Sequence, residues 1–209
     1  MVHLRASAVG GCVRKQVYRA LGLPVKDMAC PKTRRMRNMG QILEHMVLQE
    51  GLGVFEANRI TTSFFCELFT ITGHPDHADE DIRRIYEVKS MHTFAWKQGK
   101  KEGMAVKYPQ YLSQLSFYVI AGGFDDGQFI CIDRSSGEEY SELWTREALM
   151  PYYDQVLSRA AAIACLVKKN VLPKKDPALP EWACSSEYCD AVNCVHLKKT
   201  KPDPLLNHS

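Results

Sequence analysis

Three residues in the stretch GHPDHADEDIRRIYEVKS, Gly73 to Ser90, carry groups that could do chemistry together: Asp76, Glu87 and Lys89. The end of the stretch reads as a strand. Strand side chains alternate, so Glu87 and Lys89 share one face while Tyr86 and Val88 point the other way, toward a core. Asp76 and Glu87 are equidistant from a turn centred between Asp81 and Ile82. If the two arms pair as a hairpin, their carboxylates meet on one face. Two such carboxylates repel each other unless a cation sits between them. Hard oxygen ligands suit Mg²⁺ or Mn²⁺. The neighbouring Lys89 could orient a water or neutralise charge building on a phosphate. Taken alone, the triplet also fits an exposed strand with a Glu–Lys pair. His74, His77, Asp79, Glu80 and Asp81 read as turn and rim.

Such a site needs a scaffold, and the chain has material for one. Its 209 residues are 45% hydrophobic and 24% charged, the composition of a globular protein with a real core. We read a single domain over 1–209: N-terminal helices over 1–53, a core over 54–170 and a Cys-rich tail over 171–209. A helix is expected over Ser7–Leu21 and a second from Thr33 to about Glu50, with Met36, Met39, Leu43, Met46 and Val47 as its apolar stripe. Strands are expected at Val54–Thr61, Phe64–Gly73 and Ile82–Lys89. A short basic helix (Thr93–Lys101), a helix over Tyr108–Ala121, a hairpin of Gln128–Asp133 with Tyr140–Trp144 and a long helix over Arg146–Asn170 follow. Pro151 offers an alternative start for the last. The fold class is α/β or α+β with a small antiparallel or mixed sheet.

Net charge is only +3, so composition alone does not announce a nucleic-acid binder. Basic clusters at Lys32–Arg37, Lys97–Lys101, Lys168–Lys175 and Lys198–Lys201 each fit a solvated face; several around one cleft would favour a phosphate backbone. No apolar run approaches the roughly 18 residues of a membrane span, and the first residues lack a secretion signal's apolar core. A cytoplasmic location is expected (the host's, if the chain is phage-encoded). In that compartment eight cysteines imply buried thiols or metal ligands rather than disulfides.

GHPD, ten residues, then EVK resembles the PD-(D/E)XK nuclease superfamily. The resemblance implies a restriction-endonuclease-like core, a mixed central sheet flanked by helices, and metal-dependent phosphodiester cleavage. Asp76 and Glu87 would then be metal ligands, with the Val88 carbonyl as a further one, and Lys89 the catalytic lysine. In MGQILEHMV, Gly40 and His45 resemble the helix of the RecB-like exonuclease branch, which implies His45 as a third ligand and makes Mn²⁺ attractive beside Mg²⁺. Glu44 points about 100° from His45 and is assigned to the surface. In YPQYLSQLSFYV, Gln114 and Tyr118 share a helix face. This resembles the branch's Gln-x3-Tyr helix and implies that Gln114 holds substrate or Lys89, and that Tyr118 touches DNA or buttresses the sheet. Without the resemblance, a boundary Gln and a core Tyr account for the pair.

In CSSEYCDAVNC, Cys184, Cys189 and Cys194 are spaced x4 and x4, and Cys12 lies near the other terminus. RecB-like nucleases, including the CRISPR-associated adaptation exonucleases, join such cysteines around a [4Fe-4S] cluster that staples the chain ends. Their last three cysteines are commonly spaced x2 and x5, a departure that keeps Zn²⁺ open as the alternative. Cys30 or His196 could replace Cys12. Cys66, Cys131 and Cys165 read as buried core.

The expectation is a divalent-metal-dependent DNA nuclease, an exonuclease of RecB-like type. Arg14, Lys15, Lys97, Lys100 and Lys101 are candidate DNA contacts. Trp96 and Phe94 are candidates for base stacking, or else core aromatics of an amphipathic helix. DNA, as single strands or duplex ends, is the expected partner, together with a helicase, recombination or CRISPR adaptation protein; a homo-oligomeric ring is compatible. A non-catalytic nucleic-acid-binding adaptor and a zinc-stabilised interaction module are the alternatives.

Overall fold

The computed structural model describes residues 1–25, 31–54 and 60–174, together with Cys184, Cys189, Ala191 and Cys194 of the tail; for 31–33 only the backbone is described. The expected strand Val54–Thr61, the alternative ligands Cys30 and His196, and the basic cluster Lys198–Lys201 lie largely or wholly outside these residues.

The chain is a mixed α/β structure. It opens with β1 (Val2–Arg5), α1 (Ala6–Val9), α2 (Val13–Ala20) and α3 (Pro31–Leu52). Four strands follow: β2 (Thr62–Phe65), β3 (Phe69–Gly73), β4 (His77–Asp79) and β5 (Arg84–Met91). Next come α4 (Thr93–Glu102), α5 (Met104–Lys107), α6 (Pro109–Gly122), β6 (Asp126–Asp133), β7 (Glu139–Thr145) and α7 (Arg146–Lys168). The strands form two sheets, of order β1-β3-β2 and β4-β5-β6-β7. Both are mixed: β1 runs parallel to β3 and β5 parallel to β6, while the other pairs are antiparallel.

The expected helix Ser7–Leu21 is instead two short helices, α1 and α2, and an unexpected strand, β1, precedes them. VHLR is too short to show a period, and its strand is fixed by pairing with β3. The helix breaks at Gly10–Gly11. A Cβ on Gly10 would lie 3.0 Å from the backbone of Gln110 and from Ser113, so α1 ends where it meets α6 at a distance only glycine permits. Arg159 of α7 secures this corner, donating from Nε to the Val9 carbonyl and from Nη2 to that of Gly11.

The expected strand Phe64–Gly73 is likewise two strands, bent at residues 66–68. Cys66 sits in that bend, only part-buried, and Cys165 is exposed on α7; of the three cysteines read as core, Cys131 alone is buried. The long helix starts at Arg146, where the Thr145 hydroxyl accepts from Ala148 N. Pro151 therefore lies inside its second turn and not at its start.

The main core fills the space between the sheets and α6–α7, with Ile71, Ile85, Leu112, Leu115, Phe117, Phe129 and Ile163 fully buried. A second, smaller core lies on the opposite face of β5–β6. There Val47 and Leu48 of α3 pack on Tyr86, Val88, Ile130 and Ile132. Both faces of β5 are thus covered. Leu43 of the expected α3 stripe packs against this core, whereas Met36, Met39 and Met46 are exposed. Among the described residues no helix is long and apolar enough to cross a membrane.

Candidate active site

The turn between β4 and β5 spans residues 80–83, and His77 pairs with Tyr86, Ala78 with Ile85 and Asp79 with Arg84. This register sets Asp76 opposite Glu87. The partner arm is β4, not the strand ending at Gly73, so Asp76 stands in the short link between the two sheets. β4 stops at His77, which leaves the edge of β5 open from Glu87 onward. Asp76 covers part of that edge: its Oδ2 accepts from Val88 N at 2.8 Å. The N–H and C=O of one strand residue point to the same side, so the Val88 carbonyl faces the same open edge.

Glu87 and Lys89 lie on the β5 face under α6. The Glu87 side chain is 1% exposed. Lys89 Nζ donates to its Oε2 at 2.5 Å. The other oxygen, Oε1, is buried with no hydrogen-bond partner among the described residues. A buried carboxylate oxygen left unpaired is costly and asks for an explanation. Burial pushes the Glu87 carboxyl up to about 8; Lys89 opposes this, while the charges of Asp76 and Glu44 add to it. Burial alone would weaken the Lys89 ammonium, but Glu87 and Asp76 hold it charged and raise its pKa. When all four groups are ionised, three carboxylates and one ammonium carry a net charge of −2. A single divalent cation would balance that charge, and the oxygen donors suit Mg²⁺ or Mn²⁺.

α6 forms the wall over this strand. Gln114 donates from Nε2 to the Tyr118 hydroxyl at 3.0 Å. Tyr118 is buried, and burial with the nearby Glu87 charge raises its pKa. Its ring needs Gly73: a Cβ there would meet Tyr118 Cε1 at 2.5 Å and Ala6 Cβ at 2.8 Å. The glycine of GHPD thus makes room for the tyrosine of the α6 motif. Tyr111, one turn before Gln114, carries the Lys89 ammonium over its ring at 5.1 Å from the centroid. Tyr108 packs tilted against Tyr111 with ring centroids 5.5 Å apart, and its hydroxyl donates to the Ala95 carbonyl. The i, i+3, i+7 spacing of Tyr111, Gln114 and Tyr118 was the available signal for Tyr111.

α3 reaches the centre differently from the expectation. His45 is exposed. Glu44, expected at the surface, is half-buried, and its charge reaches Glu87. The reason is the face that α3 buries. Val47 sits on Tyr86 and Val88, and a Cβ on Gly40 would lie 3.5 Å from Ser90 Oγ. With residues 40, 43 and 47 against the sheet, residue 44 flanks the contact and residue 45 turns a further 100° away.

The candidate DNA contacts divide. Trp96 is 3% exposed, its indole donates to the Cys131 carbonyl, and its ring packs edge-on against Tyr140. It is a core residue with no ring face for a base; Phe94, 68% exposed, has one. Lys97, Lys100 and Lys101 are exposed, with Lys100 over the Trp96 ring. Arg14 is committed elsewhere: Nε donates to Cys194 Sγ at 3.4 Å and Nη1 to the Pro173 carbonyl at 2.5 Å. Lys15 is half-buried.

Arg14 thus ties α2 to the tail. Cys184 and Cys189 are buried and Cys12 and Cys194 part-buried. Burial raises the Cys12 thiol, and Cys184 and Cys189 lie near enough to raise it further. Cys189 and Cys194 pack with Tyr18 of α2. The four cysteines gather at one corner, as free thiols. Among the described residues, however, no three His, Cys, Asp or Glu side chains are arranged to hold a metal ion, here or at the carboxylates.

No protein-family model matches the chain, and no curated protein matches it in sequence. Solved structures do match. A phage-related exonuclease from Haemophilus somnus 129PT superposes with a TM-score of 0.55 at 15% identity, over 80% of this chain and 96% of that one. The alkaline exonuclease LHK-Exo from Laribacter hongkongensis gives 0.51 at 15%, over 80% and 91%. The chain has the fold of these exonucleases. The protein SSO0001 gives 0.60 at 17% identity, over 95% of this chain and 89% of its own. Identities this low speak for the fold; the case for an activity rests on the site.

Proposed function

We propose that the chain is a divalent-metal-dependent DNA exonuclease of RecB-like type, with its centre at Asp76, Glu87 and Lys89. The observation that carries this reading is Glu87: a buried carboxylate with one unpaired oxygen, beside a second carboxylate and a lysine, in a fold shared with exonucleases. Asp76, Glu87 Oε1 and the Val88 carbonyl would hold Mg²⁺ or Mn²⁺, with Glu44 better placed than His45 to complete the set. The bound ion would supply Lewis-acid stabilisation of the phosphoryl oxygens and a water of lowered pKa. Asp76 has a structural task as well, since its Oδ2 fixes the edge of β5. Lys89, held between Glu87 and Tyr111, offers its ammonium to charge developing on the phosphate. Gln114 orients the Tyr118 hydroxyl under the sheet.

We further assign Cys12, Cys184, Cys189 and Cys194 as the ligands of a [4Fe-4S] cluster, with Zn²⁺ as the alternative. The proximity of Cys184 and Cys189 to Cys12, and of Cys194 to Arg14, supports this set. Its role would be structural, joining α2 to the tail. Metal analysis with a visible absorption spectrum separates iron from zinc.

The nuclease reading is tested with end-labelled single- and double-stranded DNA and Mg²⁺ or Mn²⁺, comparing wild type with Asp76→Ala and Lys89→Ala. Wild type should release nucleotides only with metal, and both variants should be strongly impaired. Equal cleavage by all three, or none by wild type on any substrate, would contradict it.

A further inference from the structure

α4 lies beside the acidic centre and is held there by its inner face. Cys131 of β6 is the register partner of Lys89, and its carbonyl accepts from the Trp96 indole at 3.0 Å. The Tyr108 hydroxyl donates to the Ala95 carbonyl, and Tyr108 packs on Tyr111, whose ring carries the Lys89 ammonium. One residue, His92, separates β5 from α4. Its Nδ1 accepts from Phe94 N, and the Thr93 hydroxyl donates to the buried Asp133. The helix is thus fixed next to the strand that carries Glu87 and Lys89. Its outer face is different. Phe94, Lys97 and Lys101 recur at i, i+3 and i+7, so they form one stripe. All three are exposed, Phe94 to 68%. Lys100 is exposed as well and lies over the Trp96 ring. The helix has no acid before Glu102, and that one pairs with Lys107.

We infer that the outer face of α4 is a platform for an unpaired DNA strand, with the Phe94 ring stacking a base and Lys97 and Lys101 holding the phosphates beside it. The inference rests on the nuclease reading for what the centre does to the strand, and goes beyond it in naming where the strand is held and in what form. A single strand matches this face in both its parts: the ring takes a base, and the ammonium groups take the backbone. Inside a duplex the base faces are covered by their stacked neighbours, so the strand is unpaired where it meets Phe94. The lysines, with no acid between them, favour a polyanion. An exposed phenylalanine alone would mean little. Phe65 of β2 is as exposed, at 69%, but the bend that follows it carries the acid Glu67 and no lysine. Position sets α4 apart further: it begins where β5 ends, so one strand can touch Phe94 and the Glu87–Lys89 centre at once.

Fluorescence anisotropy with a labelled single-stranded DNA oligonucleotide, in EDTA and over a series of salt concentrations, tests this without requiring cleavage. Phe94→Ala should weaken binding about 5- to 100-fold with the salt slope unchanged, and Phe94→Trp should retain affinity. The Lys97→Gln/Lys101→Gln double variant should bind more weakly and lose about 0.7 of salt slope for each lysine removed. Lys97→Arg/Lys101→Arg should keep the slope, and Phe65→Ala should keep both slope and affinity. Equal melting temperatures for all variants exclude a folding effect. Unchanged affinity in Phe94→Ala, an equal loss in Phe65→Ala, an unchanged slope in the Gln double variant, or no binding by wild type at low salt would overturn the platform even if the enzyme cleaves DNA. Equal affinity for a hairpin-capped duplex with no unpaired strand would overturn the single-strand assignment. The expected binding behaviour without cleavage under any metal would instead overturn the nuclease reading and leave the platform standing.

Discussion

At the open edge of β5, Asp76 and Glu87 act together on the Lys89 ammonium, and the charge of Glu44 reaches Glu87. At the corner of α2 and the tail, four thiols gather beside Arg14. Both regions concentrate potential ligands, yet their physics differs. Burial and the neighbouring carboxylates raise Glu87 to about 8, so without a cation the folded centre holds a proton that a bound divalent ion would displace. The thiols are neutral until they are deprotonated, and burial keeps the Cys12 thiol so. The acidic centre is therefore under electrostatic load, as expected of a place that performs chemistry, whereas the cysteine corner is relaxed and packs as a small apolar cluster with Tyr18. One region should matter most for rate and the other for stability, and each prediction below is a way to break that division.

The largest effect belongs to the acidic centre. Glu87→Gln should lower metal-dependent cleavage by more than about 10³-fold, and Lys89→Ala by about 10²–10³-fold, the range seen when one preorganised donor to a developing anion is lost. If the cysteines hold the proposed cluster or zinc, replacing Cys184 and Cys189 together by Ser should abolish metal binding there and lower the melting temperature while leaving measurable cleavage at permissive temperature. Abolished cleavage in a folded Cys variant would erase the distinction between the regions.

A pH prediction comes next. The folded Glu87 carboxyl is raised to about 8 from an ordinary 4.5. Between those values the folded state binds more protons than the unfolded one, so the stability of the metal-free protein should fall as pH rises from about 5 to about 8. Glu87→Gln should flatten that fall, and added Mn²⁺ should reverse it. Thermal melts across pH with and without chelator measure this; a metal-free wild type that gains stability over the same interval would contradict the assigned load.

Smaller effects test the wall over the site. Gly73→Ala should destabilise by about 1–3 kcal/mol, because the added methyl meets the Tyr118 ring and Ala6; chemical denaturation reads it. Smallest of all, Tyr111→Leu removes the ring under the Lys89 ammonium, worth about 0.5–2 kcal/mol. It should slow cleavage roughly 2- to 30-fold. Tyr111→Phe, which keeps the ring, should restore the rate.

What the sequence revealed follows the same physics. The opposition of Asp76 and Glu87 was legible because a turn with near-symmetric arms determines its own register. The α6 stripe was legible because a helix repeats. Elements fixed by partners far along the chain were not: β1 exists through its pairing with β3, and the break at Gly10–Gly11 through the close approach of α6. The methionines of α3 have core spacing but stay exposed, while Leu43, Val47 and Leu48 find the second core, since the helix runs past the end of the sheet. His45 is exposed and Glu44 half-buried, a difference the sequence did not show because a helix's spacing says which residues share a face but not which face meets the sheet. Trp96 followed the same rule in reverse, for the face of α4 that carries it is turned inward against Tyr140.

The central claim, that Glu87 binds the catalytic divalent ion, is tested most directly by single-turnover cleavage of end-labelled DNA over a Mn²⁺ titration, wild type against Glu87→Gln. The account predicts saturable, metal-dependent cleavage for wild type, and for Glu87→Gln a lost or far weaker metal dependence with the fold intact. Superimposable titration curves for the two proteins would contradict it.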